Sequence, residues 1–366
     1  MKIRCLAAAL SAAILMTACG TSAELTKNVK PLDIAPVDGT PEFRNAQMQF
    51  TVSLLQKAAE QNDGNLLLSP YLAASQWLTA ADESITAPEI FGGMARAELN
   101  GSMVKWRGTL AVLQKAQSLW IAPEQRSSLK PDYLRFCLGL SGTQVFAAER
   151  TPAALNQWVS EATGGAVSEI TAPQNADAAM LGALSYALTW SSPYGDNEIR
   201  NVLFYNADGS QKSAPFLCKD ADSVMYLEDE AVTGMRKDCD GNQLAFVAVM
   251  PKSGTVDSLL QNLTAEQLSD YISFGVQQTM RTQFPQFNAD DTQDIAALLP
   301  ETGCGTIIQH VCTEIGKGTQ KATFSMQIGD GESSKTELVF DHPFAFFVVD
   351  RYYGLPLIAG TVEQLS

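Results

Sequence analysis

What the chain lacks narrows it before any motif is considered. It has 2 histidines in 366 residues, His310 and His342, so a metal centre built from several imidazoles is excluded. There is no HExxH, no GxxxxGK[ST] and no strand followed by GxGxxG, the usual signatures of zinc-protease, nucleotide-phosphate and dinucleotide chemistry. A nucleophile elbow is missing as well, because Gly139-Leu140-Ser141-Gly142 fails the GxSxG spacing. Basic residues are scarce, 25 Lys and Arg against 40 Asp and Glu, for a net charge of -15. A phosphate backbone is held by clustered cations that release counterions, so nucleic acid is not an expected partner.

None of the 7 cysteines lies in a CxxC pair. With Cys5 and Cys19 set aside, the odd and scattered set Cys137, Cys218, Cys239, Cys304 and Cys312 reads as buried thiols with at most one disulfide. Asp238 and Asp240 precede Gly241-Asn242 without the further ligands of a calcium loop, and read as a polar hairpin turn. No metal or cofactor is expected.

What is present begins with an export signal. Lys2 and Arg4 precede an apolar run over residues 6–16 and then small residues, the order of a signal peptide over residues 1–18, too short for a spanning helix. Met16-Thr17-Ala18-Cys19-Gly20 resembles a bacterial lipobox, which makes Cys19 the expected lipid-bearing residue. An ordinary secretion signal is the alternative. The product is exported in either case, anchored on the extracytoplasmic side of a membrane or secreted. Residues 19–40 mix Gly, Pro, Ser and Thr without apolar periodicity, which predicts a flexible tether reaching about 25 Å from its anchor.

From Pro41 the pattern becomes helical: Phe43, Met48, Phe50, Leu54, Leu55 and Ala58 recur at helical spacing until Asn62-Asp63-Gly64. Asn65-Leu66-Leu67-Leu68-Ser69-Pro70 reads as a short buried strand leading into a second helix rich in small residues, which favour close packing. Later helical stretches such as AALNQWVSEAT alternate with strand-like runs such as LAFVAVM and FAFFVVD. No linker or repeat divides residues 41–366, so one large α+β domain is expected.

Ordered landmarks then point to a family. Phe340-Asp341-His342-Pro343-Phe344 with the following hydrophobic strand, and Gly354 to Gly360, resemble the serpin C-terminus, with His342 where that family usually has Arg. Asn65, Ser69 and Pro70 resemble the strand-to-helix entry beneath the main sheet. Asn156-Gln157-Trp158-Val159 and Thr163-Gly164-Gly165 resemble the helix that crosses it. Ala183-Leu184-Ser185-Tyr186 up to Trp190 resembles the strand whose tryptophan marks the point of loop entry, while Met250-Pro251 and Phe284-Pro285-Gln286-Phe287 match two further strand ends. The similarity spans residues 41–364. It implies eight or nine helices around three sheets with an exposed reactive loop, and the function of a serine-protease inhibitor rather than an enzyme. Gly182 and Leu72 depart from the family, which places asparagine and serine there in the polar cluster that lets the sheet part. The family's histidine in that cluster falls by counting at Ile308, two residues from His310.

The same resemblance makes Lys317, Gly318, Thr319, Gln320, Lys321, Ala322 and Thr323 the loop hinge. Asn65, Ser69, Pro70 and Trp190 fall in the sheet-opening region. Pro343 lies 25 positions beyond Gly318, the inhibitory spacing, which puts the scissile bond at Glu332-Ser333. The mechanism implied is suicide cleavage: the protease acylates on Glu332, and the freed loop inserts into the main sheet before deacylation. A Glu-preferring or elastase-like serine protease is the expected partner, a membrane holds the chain through its lipid, and a monomer is expected.

One register of the inserted strand would bury Thr319, Lys321, Thr323, Ser325 and Gln327. The opposite one would bury Ala322, Phe324, Met326 and Ile328, and a one-residue slip exchanges the two faces. An unpaired buried ammonium is costly, so the first register weighs against insertion, and a bulge near residues 316–318 would favour the second. The alternatives are a non-inhibitory serpin-fold binding protein and, less supported, a lipoprotein hydrolase using His310 or His342 as base.

Overall fold

The architecture follows from a computed structural model that describes residues 23–81, 91–174, 176–239, 243–300, 302, 304–318 and 337–365. In chain order the regular elements are α1 (Pro41–Gln61), β1 (Leu67–Leu68), α2 (Pro70–Ala80), α3 (Arg96–Thr109), β2 (Gln114–Ile121), α4 (Pro131–Leu140), β3 (Gln144–Ala147), α5 (Pro152–Ala162), β4 (Ala178–Ala187), β5 (Ile199–Tyr205), β6 (Gln211–Glu228), β7 (Val232–Cys239), β8 (Leu244–Pro251), α6 (Val256–Asn262), α7 (Ala265–Ser273), β9 (Val276–Pro285), β10 (Phe287–Asp294), β11 (Ile307–Ile315), β12 (Glu337–Val339), β13 (Phe344–Asp350) and β14 (Leu355–Val362). Local chemistry starts the helices. Thr40, Ser69 and Thr151 each accept a backbone N–H as N-caps of α1, α2 and α5, and proline follows in the first turn, where its missing N–H is not needed.

The α+β class holds, with seven α-helices among the described residues. Two of the three expected sheets run together, because the 18-residue strand β6 shifts register between Lys219 and Asp222 and so serves both. The result is one 9-stranded sheet and one 5-stranded sheet in the order β10-β11-β4-β2-β3. In the latter, β4 and β11 pair directly and in parallel, from Ile307 opposite Met180 to Glu314 opposite Ala187. The main core lies between the two sheets and the helices α1 and α2. A second cluster, with Trp158 and Val159 of α5 packed on Trp120, Leu181 and Ile308, covers the outer face of the 5-stranded sheet.

Of the stretch 19–40 expected as a tether, the described residues 23–40 form a packed strap. Leu25 donates its N–H to the Val145 carbonyl at 2.7 Å, Ala147 donates to the Ala23 carbonyl at 2.9 Å, and Thr26 is buried. Further along, Leu32 N–H bonds to the Arg135 carbonyl, and Val37 N–H to the Gly101 carbonyl. A Cβ at position 139 would lie 2.3 Å from the Leu32 oxygen, so Gly139 lets the backbone of the strap touch α4. Backbone groups of β3, α3 and α4, together with the scattered Leu25, Leu32 and Ile34 packed on the core, hold this segment, and neither signal has the regular apolar period from which composition predicts structure.

Candidate functional site

The site is the β4–β11 seam and its end near Trp190. Along β11 the odd-numbered Ile307, Val311 and Ile315 face the main core, and Ile308 faces α5. Gln309 therefore points inward. It accepts from the Ser69 N–H at 3.1 Å, donates to the Ser69 carbonyl at 3.0 Å and donates to Gln76 Oε1 at 3.2 Å. Gln76 donates in turn to the Ile308 carbonyl at 2.9 Å. Across the sheet, Gly182 stands in register between Gln117 on one side and Gln309 on the other. A Cβ there would come within 2.9 Å of Gln76 Nε2, so the absent side chain is the room that the Gln76 amide occupies.

This arrangement accounts for Gly182 and for the histidine expected on β11. The inward polar place on β11 belongs to Gln309. Ile308 packs beneath α5, while His310 shares a 2.8 Å hydrogen bond with Thr292 and has Asp290 at 3.7 Å. Burial pushes the His310 imidazole below its ordinary range, with the two aspartates 290 and 291 opposing. Counting back from the hinge missed Gln309 by one residue, because backbone register and not sequence spacing sets which side chains turn inward.

Helix α2 ties both halves of the sheet. Besides Gln76 on the β11 side, Ser75 donates to Gln117 Oε1 at 3.0 Å, and Gln117 donates to Thr79 and Thr143 at 3.1 and 2.9 Å on the β2 and β3 side. All these amides are buried and satisfied, the condition under which a buried polar network specifies a structure. Ser69 also donates to the Leu357 carbonyl at 2.7 Å, and Pro70 opens α2 behind it. Asn65 stands apart from this group: its side chain accepts from the backbone N–H of Glu363 and Gln364 and fastens the C-terminal segment. Leu72 is buried in the core.

At the upper end Trp190 Nε1 donates to the Gly316 carbonyl at 2.7 Å, and its ring meets Tyr194, Phe246 and Phe284 edge-on at 5.4 to 5.9 Å. Gly318 has φ of 77°, and a Cβ there would press on Trp190 Cδ1 at 3.2 Å. Only glycine suits this turn. The Lys317 carbonyl accepts from Tyr194 N–H at 3.1 Å, and its ammonium pairs with exposed Asp196 at 2.7 Å. The remaining hinge residues 319–323, the bond Glu332-Ser333 and Cys19 lie outside the described residues.

Beneath Trp190 sits a buried charge cluster that sequence reasoning did not single out. Lys237 and Asp222 form an ion pair, Asp222 accepts from Thr282 at 2.7 Å and from the Tyr194 hydroxyl at 3.3 Å, and the Lys219 ammonium donates to Ser192. Both ammoniums lie over the Tyr194 ring, at 4.7 and 4.9 Å. Burial lowers the Lys237 pKa against the pull of Asp222, and burial raises that of Tyr194, which keeps its hydroxyl a donor. The available signal was positional: Lys237 alternates with buried Met235 and Cys239 on β7. No disulfide joins the five cysteines of the folded part. His342 stacks on Tyr205 at 4.8 Å and shares a 2.7 Å hydrogen bond with Asp341.

In the 5-stranded sheet the parallel strands β4 and β11 are direct neighbours, and a glycine turn leads out of β11 beside Trp190. Residues 45–315 match the family described as Serpin (serine protease inhibitor), and the chain belongs to the serpin family. An uncharacterised serpin-like protein of Thermococcus kodakarensis is 22% identical, covering 86% of this chain and 84% of its own. Plasminogen activator inhibitor 1 of Bos taurus is also 22% identical, covering 86% and 90%. Among solved structures, tengpin, a thermophilic serpin in the native state, superposes with a TM-score of 0.79 at 19% identity over 94% of this chain and 99% of that one. Native protease nexin-1 with heparin gives a TM-score of 0.73 at 15% identity, covering 89% and 100%. Family and fold support protease inhibition as the general function.

Proposed function

We propose that this serpin is a serine-protease inhibitor that is cut at Glu332-Ser333 and traps the enzyme by inserting the freed loop between β4 and β11, and that Cys19 carries the lipid holding it outside the cell. The observation that carries the reading is the seam itself. Parallel pairing is slightly weaker per residue than antiparallel, and a strand returning from the hinge would replace one parallel pair by two antiparallel ones. Its apolar side chains would add burial.

The described end of β11 also bears on the two registers. Ile315 faces the core, and residues directly opposite each other in an antiparallel pair share a face. A four-residue turn over 316–319 would set Gln320 opposite Ile315 and make Ala322, Phe324, Met326 and Ile328 the inward face of the new strand. Lys321 would then turn outward, where its charge does not oppose insertion. The satisfied Gln76–Gln309 pair supplies the polar closure that Gly182 and Leu72 had put in doubt, which favours inhibition over simple binding.

Glutamate before the cut suits a Glu-preferring protease. Incubation of the purified domain with a protease panel, Glu-specific enzymes included, tests the proposal. It predicts an SDS-stable complex and release of the peptide beginning at Ser333; clean cleavage with no complex for any protease would defeat it.

A further inference from the structure

The strap fixes where the described chain enters the domain, and the strand registers fix how far that point lies from the hinge end of β11. Ala147 at the end of β3 donates to the Ala23 carbonyl. Ala147 is opposite Ile121 on β2, and Ile121 is opposite Ala178 at the start of β4. At the other end of the same strand, Ala187 is opposite Glu314, just before the glycine turn of the hinge. The N-terminal entry and the hinge thus occupy opposite poles of the 5-stranded sheet, separated by the 10 residues of β4, or about 33 Å. Between Cys19 and the first strap residue stand only residues 20–22, which extend at most about 14 Å with the bonds on either side.

We infer that the lipid bilayer is the partner of the pole formed by the end of β3 and the start of β4, so that the domain is seated on the membrane with its hinge and loop at the distal pole. The inference rests on the lipidation of Cys19 proposed above, and it replaces a swinging tether with a fixed posture. Loop presentation outward suits a soluble protease arriving from the medium. Trapping is a different matter. A strand inserted from the hinge runs along β4 toward Ala178, so an acyl-linked protease would be carried to the pole that faces the bilayer. The short anchor then opposes the last part of that journey.

The experiment uses the full lipoprotein in phosphatidylcholine vesicles containing an acceptor-labelled lipid. Donor dyes are placed at Glu124→Cys, beside the anchor pole, and at Asn197→Cys, beside the hinge; both sites are exposed, and unsubstituted protein controls for labelling of native thiols. Energy transfer to the membrane should be severalfold greater from position 124. Equal transfer, or the reverse order, in protein that incorporates radiolabelled fatty acid would overturn the inference while leaving lipidation intact. Absence of the fatty acid would overturn the anchor itself, and the inference with it. A Gly/Ser spacer of about 20 residues inserted after Ser22 should collapse the difference. On vesicles the spacer variant should trap more protease per molecule cut than the native spacing, and detergent should make the two equal. Equal trapping on vesicles would remove the steric consequence, and no trapping by either form in detergent would instead count against the inhibitory reading.

Discussion

The centre of the 9-stranded sheet and the middle of the seam in the 5-stranded sheet are both buried, yet they are built on opposite plans. Strands β13 and β14 are buried at every residue, pair antiparallel with each other, and β13 pairs antiparallel with β8. Their side chains are almost all apolar, and aromatic contacts such as Phe246–Phe346 at 6.0 Å and Phe287–Phe346 at 5.2 Å tie them to their neighbours. The β4–β11 seam is parallel, has a glycine at its middle and is closed by the Gln76 amide reaching from α2 to Gln309 and the Ile308 carbonyl of β11. Apolar packing has no single bond to undo. A hydrogen-bonded seam can be released by exchanging partners, because an incoming strand offers its own donors and acceptors. The first region is a scaffold, and the second is a closure.

Substitutions should separate the two. The largest effect is expected from Phe346→Ala, which leaves a cavity at a fully buried position and should cost about 3–5 kcal/mol. Chemical unfolding would show the loss without faster loop insertion, and accelerated insertion in this variant would blur the distinction drawn here. Gln309→Leu removes the acceptor of the buried Ser69 N–H and one of the two donors to the Ser69 carbonyl, which keeps its bond from Ala73 N–H, and should cost about 1–3 kcal/mol. Unlike the scaffold variant, it should convert spontaneously to a loop-inserted, heat-resistant form during storage, detectable by native electrophoresis.

Loop variants sharpen the comparison without touching native stability. Phe324→Glu should turn the inhibitor into a substrate, with cleavage intact and complex lost, whereas Lys321→Glu should leave complex yield near that of the parent; the reverse pattern would establish the other register.

The smallest effect is pH dependence at His310, on the outer face of β11. Its folded-state pKa is depressed by burial, so the unfolded chain binds the proton more readily. The stability it contributes is present above the unfolded value of about 6.5 and is lost as pH falls toward the folded one. His310→Gln should flatten the thermal midpoint over that acid window; an unchanged slope would assign the effect to other groups.

Much of the scaffold was legible because its signals are local. The α1 periodicity, the capped entry into α2 and the apolar runs of β8 and β13 each declare themselves within ten or twenty residues. The closure was less so. Gln76 and Gln309 are single polar residues inside otherwise apolar elements, and their pairing joins positions 233 apart in the chain. Gly182 read as a missing family residue until Gln76 was seen to fill its space. The strap escaped notice because backbone hydrogen bonds and the irregularly spaced Leu25, Leu32 and Ile34 hold it, and these make no periodic pattern. The joining of two sheets through β6 depends on a register shift that no spacing announces. Of the hinge expected from the family resemblance only Lys317 and Gly318 are described, and the positive φ of Gly318 beside Trp190 is a structural reason for glycine there that no sequence pattern states.

The central claim, that the seam between β4 and β11 receives the loop, is tested most directly by cutting the loop with a Glu-specific endopeptidase, confirming the cut after Glu332, and comparing the thermal midpoints of intact and cut protein. A large rise on cleavage, with slowed amide exchange along β4 and β11, is the result predicted. An unchanged midpoint, with exchange at the seam as before, would contradict it.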